Sequence, residues 1–165
     1  MIFYVPDMDI LKAETEAVVI PTNCVGVMGA GLAAGAKNRF AGYYSAYRQD
    51  YLNGKLRVGK CMPFRRDGTP RYVISFPSKY HWRDESQLSF ISAALADLTK
   101  IIRTRAIRSI AIPQVGCGLG GLDWGDVAPM IEMALTPLSA DCEVFLAGPE
   151  PLSVNAAEVS EESQG

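Results

Sequence analysis

The sequence predicts a single α/β domain with a mixed, mostly parallel central sheet covered by helices on both faces, a three-layer α-β-α arrangement. Three observations predict it. Ala17–Pro21 is a continuous apolar run, the pattern of a strand buried on both faces, and Ser109–Pro113 also reads as a strand. Such runs alternate along the chain with segments of helical period. Two strands also end in a glycine-rich bend that leads into a helix: Cys24-Val25-Gly26-Val27-Met28-Gly29-Ala30-Gly31 and Val115-Gly116-Cys117-Gly118-Leu119-Gly120-Gly121. A strand–glycine–helix junction exposes unpaired backbone N–H groups beside a positive helix end, which suits phosphate. In sheets of this kind, ligands bind beyond the carboxyl ends of the strands. Two such junctions can grip one diphosphate from two sides.

The elements follow in order. Ile2–Val5 reads as a short strand, turned by Pro6-Asp7, and Asp9–Ala13 leads to the buried strand from Ala17. Ala30–Phe40 is helical, with Ala33, Ala36 and Phe40 on one face. Tyr43–Leu52 is a second helix, stopped by Asn53-Gly54. Gly59–Arg65 and Arg71–Phe76 read as strands joined through the turn dipeptide Asp67-Gly68. Asp84-Glu85-Ser86-Gln87 has the form of a capping box before a long helix whose apolar stripe is Leu88, Ile91, Leu95, Leu98 and Ile102. After the strand at 109–113, a helix starts near Asp123, carries Val127, Met130, Ile131 and Ala134, and stops at Pro137. Glu143–Leu146 is the last strand. The domain spans 1–149, and residues 150–165 read as a disordered acidic tail.

Bulk properties exclude several classes. The 165 residues carry a net charge of −2, so nothing global attracts nucleic acid. A local patch would have to bind it: the arginines at 65, 66 and 71, or those at 103, 105 and 108, could form one, with a solvated face as the other reading of both. Cys24, Cys61, Cys117 and Cys142 include no C-x-x-C pair, and His81 is the sole histidine, so no metal site is expected. Isolated cysteines in apolar strands suit reduced thiols and a cytoplasmic setting. No secretion signal is read at the N-terminus, and no apolar run reaches the ~18 residues of a membrane span.

The type of phosphate site narrows by spacing. The first bend lacks the Gly-Lys-Ser/Thr ending of a P-loop. The second, Gly116-x-Gly118-x-x-Gly121, matches a dinucleotide fingerprint in form. It comes too late for a second β-α-β half, and Asp141 precedes a strand where the fingerprint's acidic residue should end one. One glycine run alone reads equally as a tight turn.

Asp9-Ile10, the strand Ala17–Asn23, Gly29-Ala30-Gly31 and Ile112-Pro113-x-x-Gly116-x-Gly118, in that order, resemble the macrodomain family, the ADP-ribose-binding α/β fold. Three blocks resemble its DNA ADP-ribosyl glycohydrolase (DarG-type antitoxin) branch, near the terminal ADP-ribose protein glycohydrolase. They are Asn23–Gly29, the run Phe76-Pro-Ser-Lys-Tyr-His-Trp-Arg83, and the run from Gly116 to Trp124. The resemblance covers about residues 1–148. It implies a glycohydrolase that removes ADP-ribose from a modified target, ADP-ribosylated DNA at thymidine, without a metal or other cofactor. Binding without turnover, or action as a phosphatase or deacylase on ADP-ribose derivatives, are the alternatives.

The resemblance also implies roles. Asp9 would accept from the adenine amine beside the Ile10 backbone, with a turn cap as the alternative. Asn23 would meet the distal ribose, or else close its own turn. Gly29, Gly31, Gly116, Cys117, Gly118, Leu119, Gly120 and Gly121 would line the diphosphate and ribose. Lys37 matches the catalytic lysine, as a Schiff-base amine or a charged stabiliser; by helical position alone it is a surface lysine. Lys79, Tyr80, His81, Trp82 and Arg83 would contact single-stranded DNA by stacking and phosphate pairing. The alternative there is a loop anchored by Trp82 in the core. Asp123-Trp124 is read as a helix cap and anchor. The chain would act as a monomer. Three departures stand out. Gly120 occupies the place of the terminal glycohydrolase's aspartate, and Ala30 that of a basic residue common in the DarG branch. The sequence also leaves no room for the antitoxins' second, toxin-engaging domain.

Overall fold

The computed structural model describes residues 1–152. The acidic tail expected over 150–165 therefore lies, from position 153 onward, outside the described residues. Six strands form one sheet: β1 (Ile2–Tyr4), β2 (Ala17–Thr22), β3 (Met62–Arg65), β4 (Tyr72–Pro77), β5 (Ser109–Ile112) and β6 (Glu143–Leu146). Their order is β1-β6-β5-β2-β4-β3. Every pairing is parallel except β3 with β4, the hairpin that the Asp67-Gly68 turn predicts.

Alternating side chains of the central strands divide between two apolar layers, as the pleat requires. On β2, Ala17 and Val19 face one layer, with Tyr72, Ile74 and Phe76 of β4. This layer is filled by α3 (Leu88–Thr104) and α4 (Trp124–Leu135). Val18 and Ile20 face the other layer, with Val73, under α1 (Gly31–Arg39) and α2 (Tyr43–Leu52). The three-layer α/β expectation is met. Ile10–Lys12 forms a short 3-10 turn that packs on α1, where Leu11 lies against Gly35 and accepts from Arg39 Nε at 3.2 Å.

The expected capping box does not form. The cap of α3 is Gln87, three residues beyond Asp84, which therefore cannot reach the first helical amides. Asp84 closes its own loop instead: its Oδ2 accepts from His81 N–H at 3.1 Å and its N–H donates to the His81 carbonyl at 3.0 Å. Leu88, expected on the buried stripe, is exposed at the first turn, and burial begins at Ile91.

The sheet opens where the chain changes direction. β2 pairs with β5 only through Ala17↔Ile110 and Val18↔Ala111, while its pairing with β4 continues to Thr22↔Pro77. Beyond Val18 the β2–β5 ladder is lost, and a crevice opens at the carboxyl ends, the usual ligand position in such folds.

Candidate functional site

A cleft of about 560 Å³ occupies this crevice. It is built from the ends of three neighbouring strands: Pro21, Thr22 and Asn23 after β2, Ser78 and Lys79 after β4, and Pro113 and Gln114 after β5. Backbone bonds tie the loops together. Ser78 N–H donates to the Thr22 carbonyl at 3.0 Å, Cys24 N–H to Tyr80 at 2.8 Å, and Ser86 N–H to Gly120 at 2.9 Å.

Both glycine bends line the cleft, through Val27, Gly29, Ala30 and Gly31 on one side and Gly116, Gly118, Leu119 and Gly120 on the other. Their amides are the main polar resource. In the second bend, Val115, Cys117, Gly121 and Leu122 donate within the loop. The N–H groups of Gly116, Gly118, Leu119 and Gly120 find no acceptor among the described residues, and these four residues line the cleft. Gly116 is confined to glycine: its φ is +76°, and a Cβ there would meet Leu122 at 2.9 Å. In the first bend, α1 begins at Gly31 behind Ala30, which offers no side-chain cap. The opening amides of α1 therefore face the cleft with the helix's positive end.

The two junctions are not equivalent, contrary to expectation. The N-terminus of α4 is capped by Asp123, whose Oδ1 accepts from Gly125 N–H at 2.8 Å, and Asp126 adds a second carboxylate in the first turn. That helix end is already neutralised. The second bend contributes its loop amides alone, and Asp123 is the cap the sequence predicts.

Asn23 is buried and lines the cleft, with its side chain closing the turn behind it. Its Nδ2 donates to the Val27 carbonyl at 2.8 Å, and its Oδ1 accepts from Val25 N–H at 3.1 Å. Asp9 and Ile10 do not line the cleft; Asp9 Oδ1 caps the 3-10 turn by accepting from Leu11 N–H at 3.0 Å. Cys117 and Gly121 belong to the same loop but do not line the cleft. Burial, aided by Asp123 and Asp126, pushes the Cys117 thiol up to about 11, which leaves it protonated and unreactive near neutrality.

The structure does not bring Lys37 to the cleft. Only the opening turn of α1 (Gly31, Leu32 and Ala33) lines it, and each further turn moves about 5.4 Å away. Lys37 lies in the last turn of this nine-residue helix, far from its positive end, with its ammonium 4.2 Å over the Tyr44 ring. Lys79, read from sequence as a nucleic-acid contact, is half-buried and is the one charged side chain lining the cleft among the described residues.

Trp82 is not a core anchor. It is 46% exposed, lines the cleft mouth and carries the Arg83 guanidinium over its ring at 4.5 Å. His81 lies 5.1 Å from the Trp82 ring, and Tyr80 stands edge-on to Phe90 at 5.6 Å. Of the five loop residues expected to meet a target, Lys79 and Trp82 line the cleft and the other three flank it. Sequence reasoning missed Thr22, Ser78 and Gln114. Each ends or follows a buried strand as Asn23 does, and that shared position is the signal that could have found them.

The model of the Macro domain family matches residues 19–131. The chain belongs to the macrodomain family. Curated relatives of this macrodomain include the DNA ADP-ribosyl glycohydrolases of Mycobacterium tuberculosis, 43% identical over 133 residues, and of Thermus aquaticus, 39% identical over 132. Each match covers 79% of the chain but only 38% and 37% of the relative, so the chain spans under two fifths of their length. Among solved structures, the macrodomain of M. tuberculosis DarG superposes with a TM-score of 0.86 at 39% identity, covering 91% of this chain and 99% of that one. Thermosipho africanus DarTG in complex with ADP-ribose superposes at 0.77 with 28% identity, covering 88% of this chain and 41% of that one.

Position 120 admits only glycine in this loop. A Cβ there would lie 2.5 Å from the Gly116 carbonyl oxygen and would also strike the Ser86 hydroxyl. This loop geometry leaves no room for an aspartate, or for any side chain, at that position. No helix among the described residues is long and apolar enough to cross a membrane.

Proposed function

We propose that the cleft binds ADP-ribose and that the chain, acting as a monomer, hydrolyses the bond between ADP-ribose and a modified target, ADP-ribosylated single-stranded DNA at thymidine. One observation carries this reading: two rows of unpaired amides flank a cleft whose only charged side chain, among the described residues, is a lysine. The amide rows suit a diphosphate. Likeness to DNA ADP-ribosyl glycohydrolases and to a structure with ADP-ribose supports the choice of ligand. Asn23 and the glycine bends receive the distal ribose, and Trp82 at the mouth offers a face on which the target base stacks.

The role expected of Lys37 passes to Lys79, which lies at the cleft. Its amine, when unprotonated, adds to the anomeric carbon as the bond to the base breaks and the base takes up a proton. Water then displaces the amine and releases ADP-ribose. A charged Lys79 that steadies the departing group is the other form of the same role. No metal enters either form. The test is release of free ADP-ribose from ADP-ribosylated single-stranded DNA. Wild type and Lys37→Ala are expected to turn over, and Lys79→Ala to lose at least about 100-fold. Full activity in Lys79→Ala would refute the assignment.

A second reading is a module that binds ADP-ribose without turnover. It is favoured by the absence of any carboxylate lining the cleft among the described residues. Tight ADP-ribose binding by calorimetry, with no hydrolysis of any linked substrate, would select it.

A further inference from the structure

The first bend is held from behind by α2. Tyr47 is buried at 2% exposure, and its hydroxyl lies 2.7 Å from the Asn23 carbonyl oxygen and 2.8 Å from Asn23 Oδ1. Arg48, the next residue, donates to the Gly26 carbonyl at 3.3 Å. Tyr51, one turn on from Tyr47, packs against Gly26 so closely that a Cβ there would fall 2.8 Å from its ring. Three residues of one helix thus fix the backbone on which the cleft-lining Asn23 sits.

A phenol has one proton, so Tyr47 donates to one of the two Asn23 oxygens at a time: the bond to the carbonyl fixes the Asn23 backbone, and the bond to Oδ1 draws the side-chain amide oxygen inward. Burial raises the Tyr47 hydroxyl well above its ordinary range, so it remains a protonated donor at any working pH. With Oδ1 held by Tyr47 and Val25, the amide nitrogen is forced to the opposite side. There one of its two N–H groups goes to the Val27 carbonyl. The other has no acceptor among the described residues, on a residue that lines the cleft.

We propose that Tyr47 is a positioning residue for ligand recognition: through Asn23 it aims one amide N–H at the distal ribose of ADP-ribose, and so sets the preference for ADP-ribose over ADP. This rests on the reading of the cleft as an ADP-ribose site. It assigns to α2, which contributes no lining residue, a share of the site's selectivity.

The test measures ADP-ribose and ADP binding by calorimetry in wild type, Tyr47→Phe, Asn23→Ala and Tyr43→Phe. Tyr43 is the control: it sits one turn earlier on the same helix, is equally buried, and bonds Ser75 Oγ at 2.7 Å, away from Asn23. Tyr47→Phe is expected to weaken ADP-ribose about five- to tenfold, the worth of one aimed hydrogen bond, and ADP less than about twofold. Tyr43→Phe is expected to lower the melting temperature while keeping the wild-type ADP-ribose to ADP ratio. In an Asn23→Ala background, Tyr47→Phe should change the ratio no further. A wild-type ratio in Tyr47→Phe, or failure of that variant to fold, overturns the proposal. If Asn23→Ala shifts the ratio and Tyr47→Phe does not, the positioning role fails and the reading of the cleft stands. If wild type does not distinguish ADP-ribose from ADP, both fail.

Discussion

Gly120→Ala isolates the consequence of adding a side chain at the tightest point of the second glycine bend. The added methyl carbon would sit 2.5 Å from the Gly116 carbonyl oxygen and 2.9 Å from its carbon, against ordinary contacts of about 3.5 Å. The Gly116 carbonyl cannot retreat freely, because it accepts from Leu122 N–H at 2.9 Å and so closes the loop. Overpacking of this kind costs about 1–3 kcal/mol. For a domain of this size that is a fall in melting temperature of about 3–10 °C. Relief must come from moving the loop, which displaces the amides of Gly118 and Leu119, so ADP-ribose affinity should drop about tenfold. Gly118→Ala is the matched control, since a Cβ there meets nothing within 4 Å. Ser86→Ala added to Gly120→Ala removes the hydroxyl clash but should not restore stability, because the backbone clash remains. Gly120→Asp should suffer as much and gain no turnover. Thermal denaturation, calorimetry and the hydrolysis assay on these four variants and wild type decide. A Gly120→Ala melt within about 1 °C of wild type, or a Gly120→Asp enzyme faster than wild type at unchanged melting temperature, would refute the reasoning.

Further outcomes follow from the same geometry. Lys37→Ala should keep full turnover and lose at most about 0.5 kcal/mol of stability, the worth of its exposed contact with Tyr44; denaturant melts and the hydrolysis assay check both. Asp123→Ala should cost about 1 kcal/mol by uncapping α4, read as a lower urea midpoint. Burial pushes the Cys24, Cys117 and Cys142 thiols up from 9.0 to about 11. The native state therefore keeps protons that the unfolded chain has released between those values. Their stabilising effect is complete below pH 9 and is lost as pH rises toward 11. The urea midpoint should fall across that window, and a flat profile would contradict the burial of these thiols. Treatment with EDTA should leave turnover unchanged, since the described residues contain no group of three His, Cys, Asp or Glu side chains able to hold a metal.

Much of the fold was legible because it depends on local periodicity. The run Ala17–Pro21 has no polar residue to alternate, so it must be buried on both faces, and that implies parallel neighbours and two helical layers. The helix Tyr43–Leu52 ends where Asn53-Gly54 predicts. The cap at Asp84 failed because its carboxylate bonds the His81 amide instead, in a turn that the capping pattern cannot register. The glycine bends were visible as candidate anion sites, but which helix end remains open was not. That depends on whether a carboxylate folds back onto it, as Asp123 does on α4 and none among the described residues does on α1.

The positions of Lys37, away from the cleft, and Lys79, on it, show what chain position cannot carry. Lys37 follows the first glycine bend in sequence and seemed near the sugar for that reason, yet a helix leaves its own N-terminus by about 1.5 Å per residue. Lys79 is more than fifty residues from Asn23 along the chain, yet it follows β4, which is hydrogen-bonded to β2 as far as Thr22↔Pro77. The cleft is assembled in the order of the sheet, β5-β2-β4, so a residue just past the end of any of these strands is closer to the cleft than one two turns into the helix that follows. The informative feature at each strand end is therefore the first polar residue after a buried run. By that criterion Asn23, Ser78 and Gln114 form one set with Lys79 directly after Ser78, and the role proposed for Lys79 needs no contribution from α1 beyond its opening amides.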